Sequence, residues 1–95
     1  MIPMLKFDQI LSRSSDVFST EAGGEVAIMS VPNGRYYALN PVASEIWRKL
    51  EHPTAVGQLA SALEAEYEGD PAQIEKDLRE TLDEWLAHRL ITVGA

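Results

Sequence analysis

Apolar and polar positions alternate through the first third of the chain, and from residue 40 the period becomes helical. Val17-Phe18-Ser19-Thr20 is short and rich in strand-forming residues. Glu21-Ala22-Gly23-Gly24 supplies a turn. Glu25 to Val31 resumes the two-residue period, with Val26, Ile28 and Ser30 on one face and Ala27, Met29 and Val31 on the other. Pro32-Asn33-Gly34 marks a hairpin, because Asn and Gly tolerate the positive φ of tight turns. Arg35 to Leu39 is a third strand, with Tyr37 and Leu39 on the core face and Tyr36 and Ala38 on the opposite face.

Asn40-Pro41 opens the first helix, with Asn40 capping a first-turn amide and Pro41 at a position that loses no bond. Val42, Ala43, Ile46, Trp47 and Leu50 form its apolar stripe, and Glu51-His52-Pro53 ends it. Thr54 is the expected cap of a second helix, in which Val56, Leu59, Ala60, Leu63 and Tyr67 recur at helical spacing before Glu68-Gly69. The third helix begins at Asp70-Pro71, with Gln73 expected to complete a capping box. Ile74, Leu78, Leu82, Trp85 and Arg89 run down one face of it, with Thr81 beside them and Leu86 on the flank. Leu90 to Val93 is β-prone and reads as a short strand or an extended tail.

Residues 1–13 fit one turn of helix as well as an extension, and form an N-terminal arm before a single domain at 14–95. The order β-β-β-α-α-α predicts an α+β domain. It is winged-helix-like, with a three-stranded antiparallel sheet followed by three helices on one of its faces.

Ninety-five residues suffice for one modest core. With no cysteine there is no disulfide, thiolate ligand or thiol nucleophile, which fits a reducing cytoplasm. No signal peptide or membrane-length apolar run is visible. The formal charge of −7 disfavours a phosphate backbone as partner and favours a basic peptide or protein. Catalytic chemistry finds little support. His52 and His88 are the only histidines, neither accompanies a nucleophile elbow, and the pair Glu84 and His88 is too small a set for a metal. No cofactor motif is present. Glu75, Asp77, Glu80, Asp83 and Glu84 also make the third helix a poor DNA reader.

Peptide binding remains. The third strand pairs with the second on one side and has no sequence-local partner on the other. Its free N–H and C=O groups could accept an added strand, with the third helix as the facing wall.

Several features together resemble the PqqD-like family, the precursor-peptide recognition domains of ribosomal peptide modification pathways. They are Gly34-Arg35-Tyr36-Tyr37-x-Leu39-Asn40-Pro41, Ile46-Trp47, Thr54-x-x-x-x-Leu59, Tyr67, and Asp77 with Leu82 and Leu86. The resemblance spans about residues 14–93 and is greater to the lasso-peptide branch than to the pyrroloquinoline-quinone branch. It implies a non-enzymatic domain that binds the leader of a precursor peptide as a strand added to Arg35, Tyr36, Tyr37, Ala38 and Leu39. The implied helix wall is Ile74, Asp77, Leu78, Thr81, Leu82 and Trp85. The implied partners are a leader-cleaving cysteine protease and an ATP-dependent cyclase, with no cofactor, metal, nucleic acid or membrane. Family members often close the third helix with glycine, where this chain has Ala87-His88-Arg89-Leu90. The alternatives are a winged-helix transcriptional regulator and an acidic scaffold for a folded enzyme.

Overall fold

The computed structural model describes residues 5–94, and the parts of the N-terminal arm and C-terminal tail at residues 1–4 and 95 lie outside it. The described chain runs β1 (Ile10–Arg13), β2 (Val17–Ala22), β3 (Glu25–Ser30), β4 (Arg35–Ala38), α1 (Pro41–Lys49), β5 (Thr54–Ala55), α2 (Val56–Glu66), α3 (Pro71–Ala87) and β6 (Ile91–Gly94). The fold is α+β, with two antiparallel three-stranded sheets ordered β2-β3-β4 and β5-β1-β6.

The first sheet is the predicted meander, so its third strand is β4. The second has no counterpart in the sequence pattern. Its strands are two to four residues long and come from the start, the middle and the end of the chain. Such short runs carry no readable period. Leu11 pairs with Thr54 on one side and Val93 on the other. The undecided N-terminal segment thus contributes a strand, and the β-prone tail becomes β6.

The β3–β4 loop spans residues 31–34 and is longer than a two-residue hairpin. Gly34 takes the positive φ of 62°, and its amide donates to the Ser30 carbonyl at 2.9 Å. Asn33 does not use the left-handed region. Its side-chain amide instead donates to the His88 carbonyl at 2.8 Å, tying the loop to the end of α3.

Asn40 and Asp70 cap α1 and α3, accepting the amides of Ala43 at 2.8 Å and Ala72 at 3.0 Å. Thr54 does not cap α2. It lies in β5, and its hydroxyl turns back to the Lys49 and His52 carbonyls. The N-cap is Ala55, whose amide is bonded by Gln58 Oε1 at 3.0 Å. Gln73 does not close a capping box either, because its amide reaches forward to Asp77 at 2.9 Å. Arg89 falls beyond α3. It takes φ 60°, with its amide on Leu86 O and the Leu90 amide on Trp85 O, which makes a Schellman turn without glycine.

Val26 and Ile28 of β3 join Ile46 and Trp47 of α1, Leu59 and Leu63 of α2, and Leu78, Leu82 and Trp85 of α3 in one core. Each fully buried aliphatic side chain there contributes about 1.5–3 kcal/mol. Trp47 and Trp85 meet edge to face at 5.5 Å. The Arg13 guanidinium covers Trp47 at 4.6 Å and donates to its carbonyl, near the C-terminal end of α1 where a cation is favoured.

The first described residues run over the start of α2. The Gly57 and Val56 amides donate to the Phe7 and Gln9 carbonyls at 2.9 and 3.0 Å, satisfying first-turn donors. Arg79 of α3 donates to the Leu5 carbonyl and stacks on Phe7. Both described ends therefore fasten to α2, α3 and the β5-β1-β6 sheet.

Candidate functional site

β4 is an edge strand among the described residues. The ladder decides which of its main-chain groups point outward. The Leu39 amide donates to Val26 O at 2.9 Å, and Tyr37 and Arg35 lie opposite Ile28 and Ser30 in the same register. Alternation turns the N–H and C=O of Tyr36 and Ala38 away from β3, toward the open edge.

α3 runs alongside that edge in the opposite sense. Just before the strand, Asn33 donates to the His88 carbonyl, and within it the Tyr37 hydroxyl lies 3.4 Å from His88 Nδ1, with the two rings 5.4 Å apart. Past the strand's end, Asn40, Val42 and Ala43 face Asp77, Glu80, Thr81 and Glu84 across an open cleft of about 390 Å³. The cleft continues into a mostly apolar cavity of about 170 Å³ between the three helices, lined by Val42, Ile46, Leu63, Tyr67, Ile74, Asp77, Leu78 and Thr81. Three carboxylates thus rim the cleft, and aliphatic side chains line the cavity beyond it.

The sequence-predicted residues divide into three groups. Arg35, Tyr36 and Ala38 are exposed on β4, while Tyr37 is half-buried and Leu39 buried beneath it. Ile74, Asp77, Leu78 and Thr81 come together on the cavity wall. Leu82 and Trp85 lie in the core, at 0% and 4% exposure, and line neither the cavity nor the cleft.

Sequence reasoning missed the wall opposite α3. Val42 reads as part of the buried stripe of α1, yet it is 44% exposed at the cavity mouth. Leu63 and Tyr67 read as ordinary core positions of the second helix. Only the Pro41 helix start, which sets Val42 in the first turn beside the strand end, hinted at an exposed apolar position there.

This arrangement offers outward backbone donors and acceptors, an apolar pocket and an acidic rim. Those are the parts with which a sheet edge and a helix hold an extended peptide. Among the described residues no three His, Asp or Glu side chains gather as a metal site.

Comparison with known proteins gives a consistent picture. The family described as coenzyme PQQ synthesis protein D (PqqD) matches residues 25–91. A solved structure of TbiB1 in complex with the TbiA(beta) leader peptide is similar at 31% identity and TM-score 0.81, covering 88% of this chain and 98% of that one. Two more distant structures share the fold. A lasso peptide synthetase B1 complexed with the leader peptide has 18% identity and TM-score 0.74, over 86% of this chain and 96% of that one. The PqqD truncation of Methylobacterium extorquens PqqCD, a stand-alone recognition element for ribosomally synthesised and post-translationally modified peptides, has 19% identity and TM-score 0.74, over 93% of this chain and 94% of that one. No curated protein sequence matches the chain. With most of its length, from β3 to the start of β6, inside the match, the chain belongs to the PqqD family.

Proposed function

We propose that this protein is a non-enzymatic recognition domain for the leader of a ribosomally made precursor peptide in a lasso or related pathway. The leader adds as a strand to β4 and rests against α3, and the domain delivers it to the processing enzymes. Those enzymes are a leader-cleaving cysteine protease and an ATP-dependent cyclase. The domain works in the cytoplasm, where the precursor is made.

The observation that carries this reading is the open β4 edge beside α3, with the outward groups of Tyr36 and Ala38 leading toward the cavity at Ile74 and Thr81. The described chain ends are fastened to α2, α3 and the other sheet, and neither pairs with that edge. The similarity to TbiB1, solved with a leader peptide, supports the same reading. The backbone ladder supplies affinity, and the pocket between strand and helix supplies selectivity.

Titration of the labelled domain with the leader encoded beside it tests the proposal. Amide shifts are expected at residues 35–39 and along α3, with saturation below the high micromolar range. A flat titration at high micromolar peptide overturns it.

A further inference from the structure

The β2-β3-β4 sheet has a second margin. Among the described residues β2 pairs with β3 alone. The Val26 carbonyl of β3 turns toward β4, whereas the Val31 amide donates to Asp16 O on the β2 side. Alternation along that ladder turns the main-chain groups of Val17, Ser19 and Glu21 away from β3. β2 is exposed from Phe18 to Ala22, so these groups are open to an added strand.

A groove of about 240 Å³ runs beside this margin, where Ser19 and Glu21 line it together with Arg13, Trp47, Arg48 and Glu51. Two of these side chains carry buried donors that meet no acceptor in the described chain, Arg13 Nε and Trp47 Nε1. Trp47 is only 1% exposed, and buried donors are normally paired. Arg48 is already committed, to Glu21 at 2.8 Å, to Glu45 and to the Gly24 carbonyl. Arg13 donates to the Trp47 carbonyl but forms no ion pair among the described residues. Burial pushes the Arg13 pKa down, and the field of Glu51 offsets part of that.

We propose that β2 receives an extended acidic segment of a partner protein, with one carboxylate of that segment directed into the groove at Arg13 and Trp47. The inference goes beyond leader recognition and does not depend on it. Ser19 and Glu21 lie opposite Ile28 and Val26, so their side chains stand on the groove face of the sheet. A residue added opposite Ser19 has its side chain on that same face. Both unpaired groups there are donors, and one belongs to a cation. A carboxylate answers both, whereas a lysine or arginine brings only further donors. The two edges of the sheet therefore call for different chemistry, since β4 leads to a rim of carboxylates at Asp77, Glu80 and Glu84. A second copy is a poor occupant. Pairing β2 with β2 offers Glu21 from the same margin, and Arg48 already holds that carboxylate. It also sets one charge of −7 against another.

The probe is a blocked, strand-forming pentapeptide, Thr-Val-Glu-Val-Thr, beside its counterpart with Gln in the middle, each titrated into the labelled full domain. The Glu peptide is expected to shift the amides of Val17, Ser19 and Glu21 together with the indole N–H of Trp47, and to bind roughly fivefold more tightly than the Gln peptide. Ser19→Pro removes an outward donor and should weaken both peptides by roughly fivefold. Arg13→Gln should erase the preference for Glu while the β2 amides still shift. Amide spectra unchanged away from the groove report that both variants fold. Equal affinity for the two peptides in the wild-type domain overturns the carboxylate, and shifts confined to Tyr36 and Ala38 overturn the choice of edge. Sodium acetate that moves the Trp47 indole at the same concentration as the peptide overturns the added strand. A wild-type dimer in sedimentation that Ser19→Pro dissolves overturns the occupant in favour of a second copy, and no shift at millimolar peptide overturns the whole inference. The leader titration reads residues 35–39 and α3, so its failure is a separate result.

Discussion

The Ser44 hydroxyl accepts the Val26 amide at 2.9 Å and donates to the Leu39 carbonyl at 3.3 Å, at a position with no solvent exposure. One side chain thus pins the first turn of α1 to β3 just where β4 passes into the helix. That junction carries Asn40 and Val42, so the bond also positions one wall of the cleft. Ser44→Ala should cost about 1–3 kcal/mol, because the buried Val26 N–H is left without an acceptor. Urea denaturation checks this, and a wild-type midpoint would contradict it.

Ala38→Pro separates the added ladder from the resident one. The Ala38 N–H points away from β3, so proline there removes a donor only from the open edge. The melting temperature should move by only a few degrees, whereas leader affinity should fall tenfold or more. Equal affinity would argue against strand addition at β4.

Ile74→Ala enlarges the cavity on the α3 side, at a residue that is only half-buried. If a leader side chain packs there, the lost contact is worth about 1 kcal/mol, roughly a fivefold weaker Kd. Isothermal titration of wild type and variant against one leader measures it, and identical constants would place the leader elsewhere.

Arg89→Gly should stabilise the domain. Arg89 occupies φ 60°, where a Cβ is strained and glycine is not. Relief of about 1 kcal/mol is partly offset by the greater freedom of glycine in the unfolded chain. A rise of a few degrees in Tm is expected. A fall would mean that contacts of the arginine side chain outweigh the backbone strain.

Acid should weaken one surface link selectively. The hydrogen bond from Arg48, at 2.8 Å, holds the Glu21 carboxyl below its ordinary value of 4.5. A depressed folded-state pKa gives stability that is present above the unfolded value and lost as pH falls through the folded one. Glu21→Gln should therefore be slightly less stable than wild type at pH 7, with the difference shrinking as pH falls below 4.5. The difference is small because the pair is exposed. Urea unfolding along a falling pH series reads it, and a difference that does not shrink would assign the effect to packing.

The meander and the three helices were legible because each spans enough residues to show its period, and because Asn40-Pro41 and Asp70-Pro71 mark helix starts by known chemistry. The second sheet was not legible, since Leu11, Thr54 and Val93 meet only through tertiary pairing. The α3 wall was half legible. Ile74, Leu78, Leu82 and Trp85 share one apolar stripe, and a stripe does not tell which members line a cavity and which fill the core. Helix packing makes that division, with Trp85 committed to Trp47 and Ile74 left at the opening. Glycine is the usual solution at the end of α3, and Arg89 in its place gives no sequence warning that the same turn forms.

Gly94, the outermost described residue at the C-terminal end, pairs with Ile10 in the β5-β1-β6 sheet and not with β4. A catalytic module or fluorescent reporter grafted beyond Gly94 would therefore leave from the sheet that the guest strand does not join. Chimeras joined there should accept cargo as readily as the free-standing domain, and the length of the tether should govern how well they work.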